Sequence, residues 1–455
     1  MKIQQGTFYL LSLGCAKNTV DSDSMAQLLM AEGYRPLSAP SRAEVLIVNT
    51  CGFIAPAREE SIQHLRTLAR KKRQGQWLIA AGCLTQRYGK QILEQVPGID
   101  GILGTRRWMD IVQVVRQLRN TPHPQPLYHL PDEAQTIGPD LPGISRSSRF
   151  GGSAYLKIAD GCRRPCAFCA IPLIKGPAVS RPMESILEEA RQLQAQGVRE
   201  LILIAQDTTD YGHDLGMKEG LATLLEHLVR AVPEIDWIRV LYAYPGHVTD
   251  RLIEVMANHR QILPYLDMPL QHAHPDTLRR MRRPANIEWV YRTIEKMRRI
   301  MPNLALRTTF IVGYPGETES EFNALLDFVR AMRFDRVGAF TFSFEPGTSS
   351  EALGDPIPLE VKRERYERLM EVQQPISLEI NQSFIGKRLD VLIEGHEKGI
   401  SIGRSYRDAP EIDGLVIIEG EFPVGSIVPV QVSGAMTYDL SAVPLPQSLP
   451  VLQAL

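Results

Sequence analysis

The alternation of short apolar runs with segments of helical length is the feature that most restricts the fold of this chain. In the first 120 residues the runs TFYLLSLGC, AEVLIVNTC and WLIAAGC have the length and composition of buried parallel strands. Each is followed by polar or amphipathic sequence, for example APAREESIQHLRTLARKK. Because strand–helix units cover both faces of a parallel sheet, we predict a doubly wound α/β domain over residues 1–120.

The same alternation resumes after a segment rich in proline. Residues 121–150 combine several Pro and Gly residues with no periodicity, which is typical of an inter-domain linker. The next six apolar runs are AYLKIA, ELILIAQ, WIRVLYAY, YLDMPLQ, LALRTTFIVG and RVGAFTFSF. Six successive βα units predict a partial (βα)6 barrel over residues 151–383, with its active site at the carboxyl ends of the strands.

Short strands with glycine turns dominate the end of the chain. The runs KRLDVLIEG, GLVIIEGE and GSIVPVQVSGAMTYDLSAV predict a small β-barrel over residues 384–455. A charged helical segment precedes it, and Pro375 predicts a kink or break there. The chain of 455 residues is long enough for these three domains, two of class α/β and one all-β.

Composition excludes several classes of protein. No apolar run reaches the length of about 18 residues that a membrane span needs, and the apolar part of the amino terminus is too short for a secretory signal. We therefore expect a cytoplasmic protein without a membrane partner. Six cysteines in so long a chain do not make a disulfide scaffold, and in a reducing compartment clustered cysteines more often bind metal or take part in chemistry.

Three of the cysteines, Cys162, Cys166 and Cys169, form a CxxxCxxC motif directly after the first strand of the second α/β unit. Thiolates select zinc or iron-sulfur clusters. A zinc site needs a fourth ligand, for which His213 and His272 are candidates. A 4Fe-4S cluster held by three cysteines instead keeps one iron open for an exogenous ligand. The spacing alone leaves both alternatives open.

The other three cysteines, Cys15, Cys51 and Cys83, each lie just past the carboxyl end of a predicted strand in the first unit. In an open parallel sheet these ends share one edge, where ligands bind. We therefore expect the three side chains to converge although they are far apart in sequence. Buried cysteines without a ligand are the alternative interpretation.

The CxxxCxxC motif with Phe168 before its last cysteine, at the end of the first strand of a six-unit barrel, resembles the radical S-adenosylmethionine superfamily. The resemblance implies a 4Fe-4S cluster whose open iron binds S-adenosyl-L-methionine (SAM), which is cleaved to a 5′-deoxyadenosyl radical. Phe168 then packs beside the cluster or its ligand, and ordinary loop packing is the alternative.

The segments LGCAKNTVDSD, VNTCGF and AGCLTQRY resemble the amino-terminal domain of the methylthiotransferases in that superfamily, and the terminal barrel resembles their OB-like TRAM domain. The resemblance implies a transferase with a second 4Fe-4S cluster, on Cys15, Cys51 and Cys83, that presents sulfur to a carbon radical. One SAM then supplies the methyl group and another the radical. An external reductant such as flavodoxin or ferredoxin is also implied.

Two branches of the methylthiotransferases differ in substrate. One acts on an adenosine of tRNA, and the other on the β-carbon of an aspartate in ribosomal protein twelve of the small subunit. Residues 385–445 contain five Lys and Arg against nine Asp and Glu, a net charge of −4, which suits a basic protein better than tRNA.

Several longer segments support the ribosomal-protein branch. GRSYRDAPEIDG, IAQDTTDYG and YLDMPLQHAHPDTLRRMRRP resemble its sequences. We therefore predict this branch, with the free protein or the assembled subunit as substrate. The tRNA branch and a non-catalytic iron-sulfur protein that binds RNA are the alternatives. The basic run over residues 279–283 predicts a solvated helix face, with contact to ribosomal RNA as its alternative.

Further site residues are predicted at the strand ends of the central barrel, where they can contact SAM or the substrate. These are Phe168, Gln206, Asp207, Gln271, Arg307, Gly313, Gly316 and Glu317. The two glycines of GYPGET allow a close backbone approach to the cofactor, and a plain turn between a strand and a helix is an equal interpretation.

Overall fold

The computed structural model describes residues 6–120, 125–138 and 140–445. Part of the predicted linker and residues 446–455 of the predicted terminal domain lie outside this range. Among the described helices, none combines the length and the apolar composition that crossing a membrane requires.

The first domain is a six-stranded parallel sheet with helices on both faces. The strands are β1 (Gly6–Ser12), β2 (Tyr34–Pro36), β3 (Val45–Thr50), β4 (Trp77–Gly82), β5 (Gly101–Gly104) and β6 (Leu127–His129). The helices are α1 (Ala16–Ala31), α2 (Ala55–Lys71), α3 (Cys83–Gln95) and α4 (Ile111–Asn120). Helices α1 and α4 pack on one face, α2 and α3 on the other. The prediction of a doubly wound α/β domain is confirmed.

The strand order of this sheet is β2-β1-β3-β4-β5-β6. The chain therefore changes direction across the sheet between β1 and β3, which is the topological switch point. Ligands of open α/β sheets bind outside the carboxyl ends of the strands at this point. Cys15 and Cys51 follow these two strands.

The segment predicted as a linker adds a strand to each neighbouring sheet. Strand β6 pairs with β5 of the first domain, and β7 (Ser147–Phe150) pairs antiparallel with the next strand, β8 (Ser153–Lys157). The unpaired backbone groups of a sheet edge can bind any extended segment, whatever its side-chain pattern. Strands β6 and β7 can therefore form without a periodic pattern of apolar residues in the sequence.

The central domain curves six parallel strands into a partial barrel, as predicted. They are β8, β11 (Glu200–Ile204), β12 (Trp237–Val240), β13 (Tyr265–Asp267), β14 (Ala305–Val312) and β15 (Arg336–Thr341), and the short hairpin β9 (Ala159–Asp160) and β10 (Val179–Ser180) follows β8. A parallel bridge between Ile238 and Ile262 connects its two halves.

Eight helices belong to the described part of this domain. They are α5 (Ile171–Lys175), α6 (Met183–Ala195), α7 (Gly220–Ala231), α8 (Asp250–Asn258), α9 (Pro275–Arg280), α10 (Ile287–Ile300), α11 (Glu319–Met332) and α12 (Leu359–Gln382). Helix α12 runs through Pro375 without a break, contrary to expectation. Two neighbours of Pro375 hold this part of the helix against the barrel. Gln373 donates to the carbonyl oxygen of Phe334 at 2.8 Å, and Ile376 is buried in the core.

The terminal domain is a closed five-stranded barrel of β16 (Arg388–Glu397), β17 (Ile400–Arg404), β18 (Val416–Glu419), β19 (Ile427–Ala435) and β20 (Leu440–Pro444). The loop between β17 and β18 covers the amino ends of the central strands. Its Asp413 accepts from the hydroxyl of Tyr265 at 2.6 Å and its Asp408 from Arg336 at 2.6 Å, each partner being the first residue of a strand. The terminal barrel is thus fixed at one end of the central barrel, and the carboxyl ends of the central strands lie at the opposite end.

Candidate active site

All six cysteines line one cavity of about 420 Å³ between the first and central domains. The first trio comes from the switch point of the parallel sheet, because Cys15 precedes α1, Cys51 follows β3 and Cys83 begins α3. The second trio, Cys162, Cys166 and Cys169, comes from the loop between β9 and α5. The carboxyl ends of both sets of strands therefore face each other across the cavity.

The loop of the second trio has a fixed backbone. The N–H of Cys162 donates to the carbonyl oxygen of Gly176 at 3.0 Å, and that of Cys169 donates to the carbonyl oxygen of Cys166 at 3.1 Å. Gly161 has a φ of +77°, and a Cβ there would lie 2.0 Å from the carbonyl oxygen of Pro177. Only glycine fits immediately before the first cysteine of this motif.

Burial favours the protonated form of three of the cysteine side chains in the absence of metal. It raises the pKa of the thiols of Cys83 and Cys169 to about 12 and that of Cys162 to about 11. Iron displaces such protons, because the thiolate is the ligand. Backbone N–H groups are already directed at two of the sulfur atoms, from Arg164 to Cys162 at 3.4 Å and from Ile171 to Cys169 at 3.5 Å.

The spacing of the thiols fits clusters better than single ions. A tetrahedral zinc ion with bonds of about 2.3 Å to sulfur brings its ligand atoms within about 4 Å of one another. Within the described residues, ligand atoms of three residues come within 4.8 Å of one another only at His274, Asp276 and Glu321, and neither cysteine trio meets this limit. In a 4Fe-4S cluster each cysteine binds a different iron, so wider spacing is required.

The candidate fourth zinc ligands are also elsewhere. His213 does not line the cavity, and neither does His272, whose Nε2 lies 3.0 Å from Glu317 in a fully buried pair. Neither histidine is therefore placed to complete a tetrahedral zinc site at either trio.

Four of the residues predicted to contact SAM or substrate line the cavity: Phe168, Gln206, Asp207 and Gln271. The Oε1 atoms of Gln206 and Gln271 are buried and accept no hydrogen bond from the described residues. Gln271 also has a φ of 73°, an uncommon conformation for a residue other than glycine. Two acceptors without donors suit a ligand that carries N–H groups, as SAM does through its ammonium group.

The other four predicted contacts lie outside the lining of this cavity. Arg307 is the third residue of β14, not its end, and it pairs with Asp267 at 2.8 Å and with Asp413 of the terminal domain at 3.3 Å. The strand extends five residues beyond Arg307, as the run LALRTTFIVG already indicated, so Arg307 lies within the strand and not at its carboxyl end.

Gly313, Gly316 and Glu317 form the turn after β14. The carboxylate of Glu317 accepts from the N–H of Gly313 and from Arg365 of α12, at 2.8 Å for the latter. The GYPGET turn is therefore held against helix α12 by its own glutamate.

Several lining residues were not identified from the sequence. They are Lys17, Asn18, Arg164, Lys175, Tyr242, Tyr244 and Arg283. The first four lie within six residues of a cysteine, which is the signal that could have found them. Arg283 belongs to the basic run that predicted a solvated helix face, yet it turns inward, donates to Sγ of Cys166 at 3.5 Å and lies 4.2 Å from the centre of the Tyr244 ring.

A buried charge network joins the two domains beside the cavity. Asp21 of α1 accepts from Lys157 at 2.5 Å, from Arg146 at 2.6 Å and from Lys175 at 2.7 Å. Asp160 lies 3.1 Å from Lys157 and 3.4 Å from Lys175. Burial alone raises the pKa of the Asp21 carboxyl, but the cations lower it more, so the net shift is downward. The network thus connects α1 of the first domain with β8, β9 and α5 of the central domain.

Comparisons with known proteins agree with this architecture. Residues 156–329 match the family model of the radical SAM superfamily, residues 7–104 that of the uncharacterized protein family UPF0004, and residues 385–445 that of the TRAM domain. Among solved structures, the radical S-adenosylmethionine methyltransferase TsrM from Kitasatospora setae is similar in fold, with a TM-score of 0.56 and 15% identity over 87% of this chain and 80% of that one.

Curated relatives match nearly the whole chain. The ribosomal protein uS12 methylthiotransferase RimO of Chloroflexus aurantiacus is 48% identical, over 95% of this chain and 98% of the relative. RimO of a Roseiflexus species is 45% identical, over 95% of this chain and 96% of the relative. Their identity and coverage exceed what a shared domain alone would produce. The chain therefore belongs to the RimO family of methylthiotransferases, within the radical SAM superfamily.

Proposed function

We propose that this protein inserts a methylthio group at the β-carbon of an aspartate in ribosomal protein uS12. The observation that carries the proposal is the opening of two cysteine trios onto a single cavity. A substrate carbon in that cavity is accessible to both trios at once, which a reaction with separate radical-forming and sulfur-presenting centres requires. The RimO relatives, all named as uS12 methylthiotransferases, support the choice of substrate.

Each trio would hold one 4Fe-4S cluster, Cys162, Cys166 and Cys169 the first and Cys15, Cys51 and Cys83 the second. When bound, the clusters and SAM supply the radical, the methyl group and the sulfur. The chain's own residues bind and orient these groups. Gln206 and Gln271 offer buried acceptors to the SAM ammonium.

Asp207 and Phe168 complete this part of the site. The Asp207 carboxylate holds Arg164 at 2.6 Å, which fixes the guanidinium at the edge of the cavity. Phe168 gives the cavity an apolar wall and packs against the cluster of Met281, Tyr314 and Phe342.

The surface of the terminal barrel supports a basic protein substrate. Arg404, Arg407, Asp408 and Asp413 of this domain have buried side chains that contact the central domain. These two cations and two carboxylates cancel, so the remaining groups of the domain keep its net charge of −4, although one of them, Glu394, pairs with Arg404 at 2.6 Å. An acidic surface attracts a basic ribosomal protein, free or in the assembled subunit, and repels the phosphates of tRNA.

An external one-electron donor such as flavodoxin or ferredoxin completes the proposal. The cysteines of the second trio also line another cavity, of about 410 Å³, together with Arg163 and Arg282. Arg163, which pairs with Asp210 at 2.6 Å, and Arg282 place guanidinium groups beside the radical-forming trio, which suits an acidic electron carrier. Because ribosomes are the source of the substrate, we expect the reaction in the cytoplasm.

Intact-mass analysis of uS12 tests the proposal. Ribosomal protein from cells with the gene should be heavier by one methylthio group than protein from cells without it. Complementation with the wild-type gene should restore the heavier form, and the Cys166→Ala variant should not. If cells without the gene had unchanged uS12 mass but lacked a methylthio group in their tRNA nucleosides, the protein would belong to the tRNA branch instead.

A further inference from the structure

The ammonium group of Lys17 lies in the wall of the cavity where the two domains meet. Lys17 is the second residue of α1, two positions after Cys15. Its Nζ is 3.2 Å from the centre of the Tyr242 ring, and Tyr242 follows β12 of the central domain. Both side chains line the cavity that contains the two cysteine trios. The ammonium thus sits beside the first trio and faces the residues of the second domain.

Lys17 differs from the other cations of this cavity in that, among the described residues, its side chain contacts Tyr242 and forms no ion pair with a carboxylate. Three cavity cations have acceptors in the protein: Lys175 binds Asp21 at 2.7 Å, Arg164 binds Asp207 at 2.6 Å, and Arg283 donates to Sγ of Cys166 and to the carbonyl oxygen of Pro269. Lys17 forms no ion pair with a carboxylate anywhere in the described ranges, and its close contact is the face of the Tyr242 ring.

The Lys17 ammonium carries a positive charge at neutral pH, as lysine side chains ordinarily do. A cation in a cavity loses part of its hydration, and an anion can replace it. An anionic group of a bound molecule would supply the missing partner.

We propose that Lys17 binds the side-chain carboxylate of the substrate aspartate and thereby selects an acidic residue. The inference rests on the proposed function and names the group that recognises its substrate. The carboxyl carbon of aspartate is bonded directly to the β-carbon. A carboxylate held at Lys17 therefore keeps the reacting carbon one bond away, in the cavity shared by both trios. The base of an adenosine has no carboxylate, so in a tRNA methylthiotransferase the reacting group itself would offer this ammonium no anion.

A binding experiment with two forms of uS12 tests this assignment. The anaerobically reconstituted full-length enzyme is titrated with uS12 that carries either the native target aspartate or asparagine in its place. We expect Lys17→Met to weaken binding of the aspartate form on the order of 10- to 100-fold, the value of a charge-assisted hydrogen bond, and to have little effect on the asparagine form. Lys17→Arg, which keeps the charge, should recover most of the affinity for the aspartate form.

Lys398→Met is the matched control. It also removes one lysine charge, but the Lys398 side chain is 87% exposed on the terminal barrel and lies outside the cavity. We expect Lys398→Met to change the affinity for both forms of uS12 equally. This change should be smaller than the loss of affinity that Lys17→Met causes for the aspartate form.

Two results would overturn the assignment, and they differ from each other. Equal weakening of both forms by Lys17→Met would mean that the ammonium acts on something other than the target carboxylate, for example an anionic sulfur ligand at the first trio. A wild-type enzyme that binds neither form would instead refute the proposed function, and the role of Lys17 with it.

Discussion

Replacement of Asp21 by asparagine tests whether the buried charge network holds the two cysteine trios together. Asp21 belongs to the first domain, and Arg146, Lys157 and Lys175 approach it from the segment and domain that follow. The network contains these three cations and the carboxylates of Asp21 and Asp160, so its net charge is +1. Asp21→Asn changes it to +2 with almost no change in side-chain volume.

The expected loss of stability is large, because all five side chains are buried and no water can replace the missing charge. Their exposed fractions are between 1% and 6%. Breaking a buried ion pair by removing one partner costs about 3–5 kcal/mol. We expect a decrease of this size in the free energy of unfolding, together with looser docking of the first domain.

Equilibrium unfolding of the cluster-free protein in urea measures the first effect, and limited proteolysis within residues 121–150 measures the second. Arg191→Ala is the control, because Arg191 and Glu188 form a pair on the surface of α6 with side chains 44% and 59% exposed. Such a pair contributes only about 0–1 kcal/mol.

Acidification provides an independent check that the Asp21 carboxylate stabilises the folded state. Because the folded-state pKa of Asp21 is below the usual 3.8, its stabilising contribution is present above that pH and is lost as the pH falls below it. The difference between wild type and Asp21→Asn should therefore decrease in acid. A stabilising role of the network would be refuted if, at neutral pH, Asp21→Asn lowered the free energy of unfolding no more than Arg191→Ala does and left proteolysis unchanged.

Three further predictions concern the clusters, the terminal barrel and the SAM site. Cys166→Ala should abolish reductive cleavage of SAM, whereas Cys51→Ala should keep some cleavage but no modification of uS12, and equal loss of cleavage in both would contradict separate roles of the trios. Glu200, which accepts from Arg239 and Arg404, has a pKa lowered to about 2, because these two arginines outweigh the effect of burial. It should contribute about 3 kcal/mol above pH 4.5 that is lost as the pH falls towards 2, so Glu200→Gln should flatten the acid-unfolding curve. Gln206→Leu should weaken SAM binding by about 1 kcal/mol in calorimetry without destabilising the cluster-free protein, since it removes a buried acceptor that has no donor; a lower melting temperature would contradict this.

Most of the fold was accessible from the sequence because strand and helix patterns reflect local burial. The six runs assigned to the central barrel all contain its parallel strands, and the cysteine positions after β1, β3 and β4 follow from the same pattern. The predicted linker was the exception. Strands β6 and β7 form because neighbouring sheets offer free edges, and nothing in residues 121–150 themselves encodes those edges.

The candidate site was predictable in part for the same reason. Phe168, Gln206, Asp207 and Gln271 lie where the strands end, and they line the cavity. Arg307 does not, because it is the third residue of the eight-residue strand β14 and therefore lies near the opposite end of the barrel. The inward turn of Arg283 depends on Cys166 and Tyr244, which are distant in sequence.

The sequence by itself determined the chemistry available to this protein: two sets of three thiols at strand ends, an acidic terminal domain and the order of three domains. Only the tertiary structure decided that both trios open onto one cavity and that the β17–β18 loop covers the other end of the barrel. It also decided that Lys17 reaches the cavity without an ion pair to any carboxylate of the described residues. The physical reason is that side-chain periodicity reports which face of an element is buried. Charge pairing across domains depends instead on how the elements dock.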